Sequence, residues 1–210
     1  MTKRSRRKLL AGAAAFGACM TMDKHIAFSA VPERRFELTS PLEGWDIVSG
    51  TWTIEEVTGA AGGRALVQHA TGNDFNVILA PSGPYTDVAV TVRFKPISGR
   101  EDASGGIVFR FADGHYYVMR ANALEDNFNL YYYDRGRRQL AGSTVKAPAL
   151  GQWHTLRITA ERDRLRGWLN GEALMDWRDG RYEKGRIGLW TKADSITAFD
   201  ELIVTPLGDS

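Results

Sequence analysis

Asp87-Val88-Ala89-Val90-Thr91-Val92-Arg93-Phe94-Lys95 alternates without a break. Val88, Val90, Val92 and Phe94 share one face; Ala89, Thr91, Arg93 and Lys95 share the other, the period of a half-buried strand. Working outward, Gly106 to Phe111 puts Ile107, Phe109 and Phe111 on one face and Val108 and Arg110 on the other. Asp113-Gly114 supplies a tight turn. Tyr116 to Asn122 then sets Tyr117, Met119 and Ala121 opposite Tyr116, Val118, Arg120 and Asn122. In Asn127 to Tyr133, Phe128, Leu130 and Tyr132 face a core, while Asn127, Asn129, Tyr131 and Tyr133 face away. Trp153 to Ala160, Arg164 to Leu169, Arg186 to Lys192 and Phe199 to Val204 read as strands, with Asn170-Gly171 the strongest hairpin signal. Trp45 to Glu55, Ala65 to His69 and Asn76 to Leu79 extend the series toward the N-terminus. No stretch keeps a helical period over several turns. So many half-apolar strands are buried most simply in two stacked antiparallel sheets, which predicts an all-β sandwich spanning residues 31–210 as one domain.

Residues 1–30 have a different character. Lys3, Arg4, Ser5, Arg6, Arg7 and Lys8 make a basic start, and Leu9 to Met20 is apolar and rich in Ala and Gly. That run is shorter than the ~20 residues a permanent membrane span needs, and it suits the apolar region of a signal segment. Ser5-Arg6-Arg7-Lys8-Leu9-Leu10 resembles a twin-arginine export signal, which implies a periplasmic or extracellular protein. Ala27-Phe28-Ser29 allows cleavage before Ala30; Phe16-Gly17-Ala18-Cys19 allows a lipid on Cys19; an uncleaved tail is the third alternative. Membrane contact is expected only through this leader or that lipid. The leader also distorts the charge. It holds six Lys or Arg and one acid, leaving 21 bases and 24 acids in residues 31–210. The domain is therefore slightly acidic although the whole chain is +2, and an electrostatic case for nucleic acid fails. Cys19 is the sole cysteine, so residues 31–210 can hold neither a disulfide nor a Cys-based metal site.

If Ile107, Phe109, Met119, Leu130 and Leu189 mark the core face, alternation puts Arg110, Arg120, Asn129, Trp190 and Lys192 on the opposite one. Tyr116, Asn122, Asn127, Tyr131 and Tyr133 join them. Arg, Asn and Lys supply donors for sugar hydroxyls, and Tyr and Trp supply flat apolar faces for sugar rings. The competing reading is an ordinary solvated sheet face. Hydrolysis usually needs two carboxylates at a set separation, and no such pair stands out. Glu125, Asp126, Glu161 and Asp163 fall at turns. Asp194, close to Trp190, is the single acid candidate, against its alternative as a turn residue capping backbone amides. The histidines (His25, His69, His115, His154) are scattered, and no nucleophile elbow is present. Arg135, Arg137 and Arg138 form a basic turn, suited to an anionic polymer or simply to solvent.

Three segments carry a family resemblance. They are Gly105-Gly106-Ile107-Val108-Phe109-Arg110 with Tyr116-Tyr117-Val118-Met119-Arg120; Gly151-Gln152-Trp153-His154-Thr155-Leu156-Arg157-Ile158 with Leu169-Asn170-Gly171; and Gly185-Arg186-Ile187-Gly188-Leu189-Trp190-Thr191-Lys192-Ala193-Asp194-Ser195 with Phe199-Asp200-Glu201-Leu202-Ile203-Val204. In this order they resemble the concanavalin A-like jelly-roll superfamily, especially bacterial laminin-G-like and 3-keto-disaccharide-hydrolase domains. The resemblance implies a jelly roll with a sugar-facing groove on one curved sheet. It leaves three functions open: a carbohydrate-binding domain of the bacterial envelope, a 3-keto-glycoside hydrolase or related enzyme with Asp194 as acid or base, and a non-catalytic interaction domain. It also implies a structural calcium on the side away from the groove, for which Glu37 and Asp200 are the candidate ligands.

Overall fold

The computed structural model describes residues 32–36, 38, 42–72 and 74–208. The leader, Cys19 and Glu37 lie outside them. Among the described residues there is no helix, and no metal-binding group of three His, Cys, Asp or Glu. The strands are β1 (Arg34–Phe36), β2 (Asp46–Ser49), β3 (Trp52–Glu56), β4 (Arg64–Gln68), β5 (Phe75–Leu79), β6 (Val88–Ser98), β7 (Ser104–Ala112) and β8 (His115–Asn122). They continue with β9 (Asn127–Tyr133), β10 (Arg137–Thr144), β11 (His154–Glu161), β12 (Arg164–Leu169), β13 (Glu172–Arg178), β14 (Arg186–Lys192) and β15 (Ile196–Pro206).

Two sheets result. The back sheet runs β13-β12-β11-β6-β15-β4-β3, with β1 added along β15; the front sheet runs β10-β9-β8-β7-β14-β5-β2. Every pairing is antiparallel. The expected all-β sandwich is therefore what forms. The alternating residues of 87–95 behave as their pattern requires: Val90, Val92 and Phe94 are completely buried between the sheets, against Ile107, Phe109, Met119, Leu130, Leu189 and Phe199.

The run Trp45 to Glu55, read above as one strand, is two strands in different sheets. β2 pairs β5 in the front sheet and β3 pairs β4 in the back sheet. Gly50 makes the corner at φ 92°, a conformation favourable only without a Cβ, and an added Cβ would sit 2.9 Å from Asn76 Cβ. Asn170-Gly171 forms its hairpin between β12 and β13 with φ 51° and 85°.

The second departure bears on the site. Arg110 takes φ 53° within a β-bulge, and the register of β7 slips against both β8 and β14 at this point. A bulge inserts one residue, so the period of two loses phase beyond it. Phe111, expected in the core, instead stacks on Tyr116 at 5.3 Å on the outer face. Arg110, expected on the outer face, turns toward the loops that carry Thr86 and Tyr182.

Candidate functional site

The outer face of the front sheet is concave, and it carries most of the expected residues. The rows follow from register. Asn129, Arg120, Gly106 and Trp190 lie side by side across β9, β8, β7 and β14. One row along, Tyr131, Val118 and Val108 are neighbours, and Tyr116 pairs Tyr133 beyond them.

The sheet curls enough for side chains of non-adjacent strands to meet across it. Phe75 of β5 packs edge-on against Tyr133 of β9 at 5.0 Å, although β14, β7 and β8 separate those strands. Phe75 also stacks on Trp190 at 5.9 Å, and Tyr116 stacks on Tyr133 at 4.2 Å. The middle of the face is thus a second apolar cluster: Val77, Leu79, Val108, Val118, Tyr116, Tyr131, Tyr133 and Trp190, all buried. Burial raises the Tyr116 and Tyr133 hydroxyls well above the ordinary tyrosine range, so both stay protonated donors. Trp190 and Tyr116 therefore form a floor beneath the surface rather than an open platform.

The polar residues gather at one end of this floor. Arg120 is 3% exposed. Its Nη1 donates to Asn127 Oδ1 at 2.8 Å, and its Nη2 donates to Glu125 Oε2 at 3.0 Å and to Tyr131 Oη at 3.1 Å. Asn127 Nδ2 donates to the same Glu125 oxygen, and Asn129 Nδ2 donates to Tyr131 Oη at 2.8 Å. The bond from Asn127 is the main influence holding the Glu125 carboxyl below its usual range; burial opposes it and Arg120 assists it. Gly106 and Gly142 leave room for this array. A Cβ on Gly106 would come within 2.9 Å of Arg120 Cβ, and one on Gly142 would collide with the Asn129 amide.

Lys192 stands beside this network. Its Nζ is 3.4 Å from Asp102 Oδ2 and 3.8 Å from Glu101 Oε1. Lys192, Glu101, Asp74, Thr71 and Phe75 line a cavity of about 160 Å³.

Asp194 does not enter the cavity. Its carboxylate accepts the backbone N–H groups of Arg100, Glu101 and Asp102 at 2.7, 3.0 and 3.0 Å. Burial pushes its pKa up, but these amides more than offset that and hold it below the ordinary carboxylate range. Asp194 thus clasps the loop that presents Glu101 and Asp102 to Lys192. A carboxylate so saturated with donors is poorly suited to delivering a proton.

Arg110 lies apart from the other seven expected ligand residues. Its Nε and Nη2 donate to Thr86 O at 3.3 and 3.1 Å, and its Nη1 donates to Tyr182 O at 2.9 Å. Asp87 Oδ1 is 3.7 Å away. The guanidinium ties two loops together at the end of the sandwich.

The described part of the expected calcium site does not suit the ion. Asp200 Oδ2 accepts the Ala61 N–H at 2.8 Å, and Arg93 Nη1 lies 3.2 Å from the same oxygen and 3.1 Å from Glu201 Oε2. Among the described residues Oδ1 is buried without a partner, and burial raises the carboxyl's pKa. A guanidinium already neutralising both acids opposes a divalent cation at that point.

Sequence reasoning placed Glu125 in a turn and left out Glu101, Asp102, Phe75 and Gln139, whose Nε2 lies 3.5 Å from Asn129 Oδ1. Glu101 and Asp102 come from a loop, where alternation gives no signal, whereas Phe75 alternates onto the face with Val77 and Leu79 and lies one residue before the strand expected at Asn76 to Leu79. Arg137 was legible only as part of a basic turn. It is the first residue of β10, and its guanidinium lies 4.5 Å from the Tyr131 ring and 5.6 Å from the Phe75 ring.

Comparison with known proteins agrees with this architecture. The family model described as the 3-keto-alpha-glucoside-1,2-lyase-like domain matches residues 39–205. Levanase of Bacillus subtilis (strain 168) is 23% identical over 155 residues, which is 71% of this chain but only 21% of levanase. The carbohydrate-binding module CBM66 of Bacillus subtilis superposes with a TM-score of 0.67 at 21% identity, covering 77% of this chain and 95% of the module. A Bacillus subtilis protein with a galectin-like fold gives 0.63 at 14% identity, covering 84% and 96%.

Proposed function

Because the chain belongs to the 3-keto-alpha-glucoside-1,2-lyase-like domain family, we propose that it is a carbohydrate-binding β-sandwich whose ligand docks on the polar end of the concave front face. The observation that carries this reading is the buried Arg120, held by side chains alone and set beside an aromatic floor. A guanidinium bound by Asn, Glu and Tyr side chains can trade one of those partners for a sugar hydroxyl without breaking backbone structure. Asn127, Asn129 and Lys192 supply further donors at the same end, and Glu101 and Glu125 supply acceptors. The names of two relatives, a carbohydrate-binding module and a levanase, support a sugar as the ligand. Export through the Arg6-Arg7 leader is part of the same proposal.

A panel of neutral and acidic oligosaccharides tested by thermal shift and calorimetry decides the matter. At least one glycan should raise the unfolding temperature, and Asn127→Ala should weaken its binding. No response to any glycan would overturn the reading.

An enzyme acting on a 3-keto-glycoside is the second reading, favoured by the family description. Released sugar from a 3-keto-disaccharide would establish it. Given the clasp on its carboxylate, Asp194→Asn should leave any such release largely intact.

A further inference from the structure

Two guanidinium nitrogens of the concave face, Arg120 Nε and Arg137 Nη1, are shut away from solvent with no partner among the described residues. Native proteins pair nearly all such atoms, so two arginines with unused N–H groups on one face call for an explanation. They are close together. The Arg120 and Arg137 guanidinium groups lie 5.6 and 4.5 Å from the centre of the one Tyr131 ring, and Phe75 touches Arg137, Tyr133 and Trp190.

Acceptors nearby are already in use. Glu125 is shared by Arg120 and Asn127. The orphaned oxygen of Asp102 faces Lys192. Among the described residues no carboxylate pairs with Arg137, unlike Arg120; the Tyr131 and Phe75 rings back it. A half-buried guanidinium with ring faces behind it and no anion before it is a receptor lacking its counter-charge.

We propose that the ligand of this face is an acidic glycan, and that Arg137 receives the carboxylate of a uronic acid unit. This rests on the sugar-binding reading above and narrows it to a substrate class. The planar fork of an arginine matches a carboxylate in two parallel hydrogen bonds, and aromatic backing fixes the fork's orientation. The sugar carrying that carboxylate then lies toward Arg120, Asn127 and Lys192, which take its hydroxyls. The basic turn at Arg135, Arg137 and Arg138 acquires a purpose: it brings a strand edge with an unneutralised cation to the rim of the site.

The test uses oligosaccharides of alginate, pectate and hyaluronan, each beside its carboxyl-reduced neutral counterpart of the same stereochemistry, measured by calorimetry. At least one uronan should bind about tenfold or more tighter than its reduced form, the size of one charge-assisted hydrogen bond. That ratio should fall toward one in Arg137→Gln, whose folding circular dichroism confirms. It should also shrink with added salt. Neutral glycans binding while no uronan exceeds its reduced form would overturn this proposal and leave the sugar-binding reading standing. No binding by any glycan, neutral or acidic, would overturn both.

Discussion

Arg110 and Arg120 sit on neighbouring strands of the front sheet, 1% and 3% exposed, and they do opposite things. Arg110 spends its hydrogen bonds on the backbone carbonyls of Thr86 and Tyr182. Arg120 spends its on the side chains of Asn127, Glu125 and Tyr131, and keeps one N–H in hand. Bonds to backbone carbonyls fix loops, and they cannot be given up without loosening the fold. Bonds to side chains leave room for exchange with a ligand. The partner's identity, more than burial or charge, separates the arginine that ties two loops from the one that equips the face.

Replacing Arg110 by Met should therefore produce the largest loss of stability. It leaves Asp87, 8% exposed, without its countercharge, and a broken buried pair costs roughly 3–5 kcal/mol. Urea unfolding should show this. Arg120→Gln should cost less, about 1–3 kcal/mol for the buried polar atoms it strands. Its Glu125 partner is 44% exposed and can rehydrate. The same variant should abolish glycan binding. If Arg120→Gln proves as destabilising as Arg110→Met, the contrast fails.

Gly142→Ala sharpens the comparison further. The new methyl displaces the Asn129 amide from Tyr131 but touches no core residue, so binding should drop several-fold with stability changed by only about 1 kcal/mol or less, as for most surface substitutions.

The smallest effect belongs to the clasp. The folded Asp194 carboxyl has a pKa below its ordinary value of 3.8. It adds stability above that value and loses it as pH falls through the folded pKa. Asp194→Asn should accordingly show a shallower decline in urea midpoint on acidification from pH about 5 to 3. Asp200, whose pKa is raised by burial, works the other way: it opposes folding above its folded pKa, and acid relieves it.

Much of this was legible in the sequence because alternation survives wherever a strand is regular. Val88 to Phe94, Tyr116 to Asn122 and Asn127 to Tyr133 carry their facing residues openly. β10 was missed. It is an edge strand with polar composition and a bulge between Gln139 and Ala141, so no phase holds along it. The Arg110 bulge misled in the same way, exchanging the sides of Arg110 and Phe111. The cluster around Phe75 was hidden for another reason. Phe75 meets Trp190 on the adjacent β14, but Tyr133 lies three strands beyond, and only the curl of the sheet brings it to Phe75.

β15 has a consequence for how the chain is made. It lies between β6 and β4 and also holds β1, yet it follows all three in sequence. While the ribosome is still translating, β6 and β4 each present an unpaired edge to the cell. The back sheet cannot zip until residue 206 has left the exit tunnel. Until then both edges stay open on the nascent chain, where pairing with another chain is the hazard.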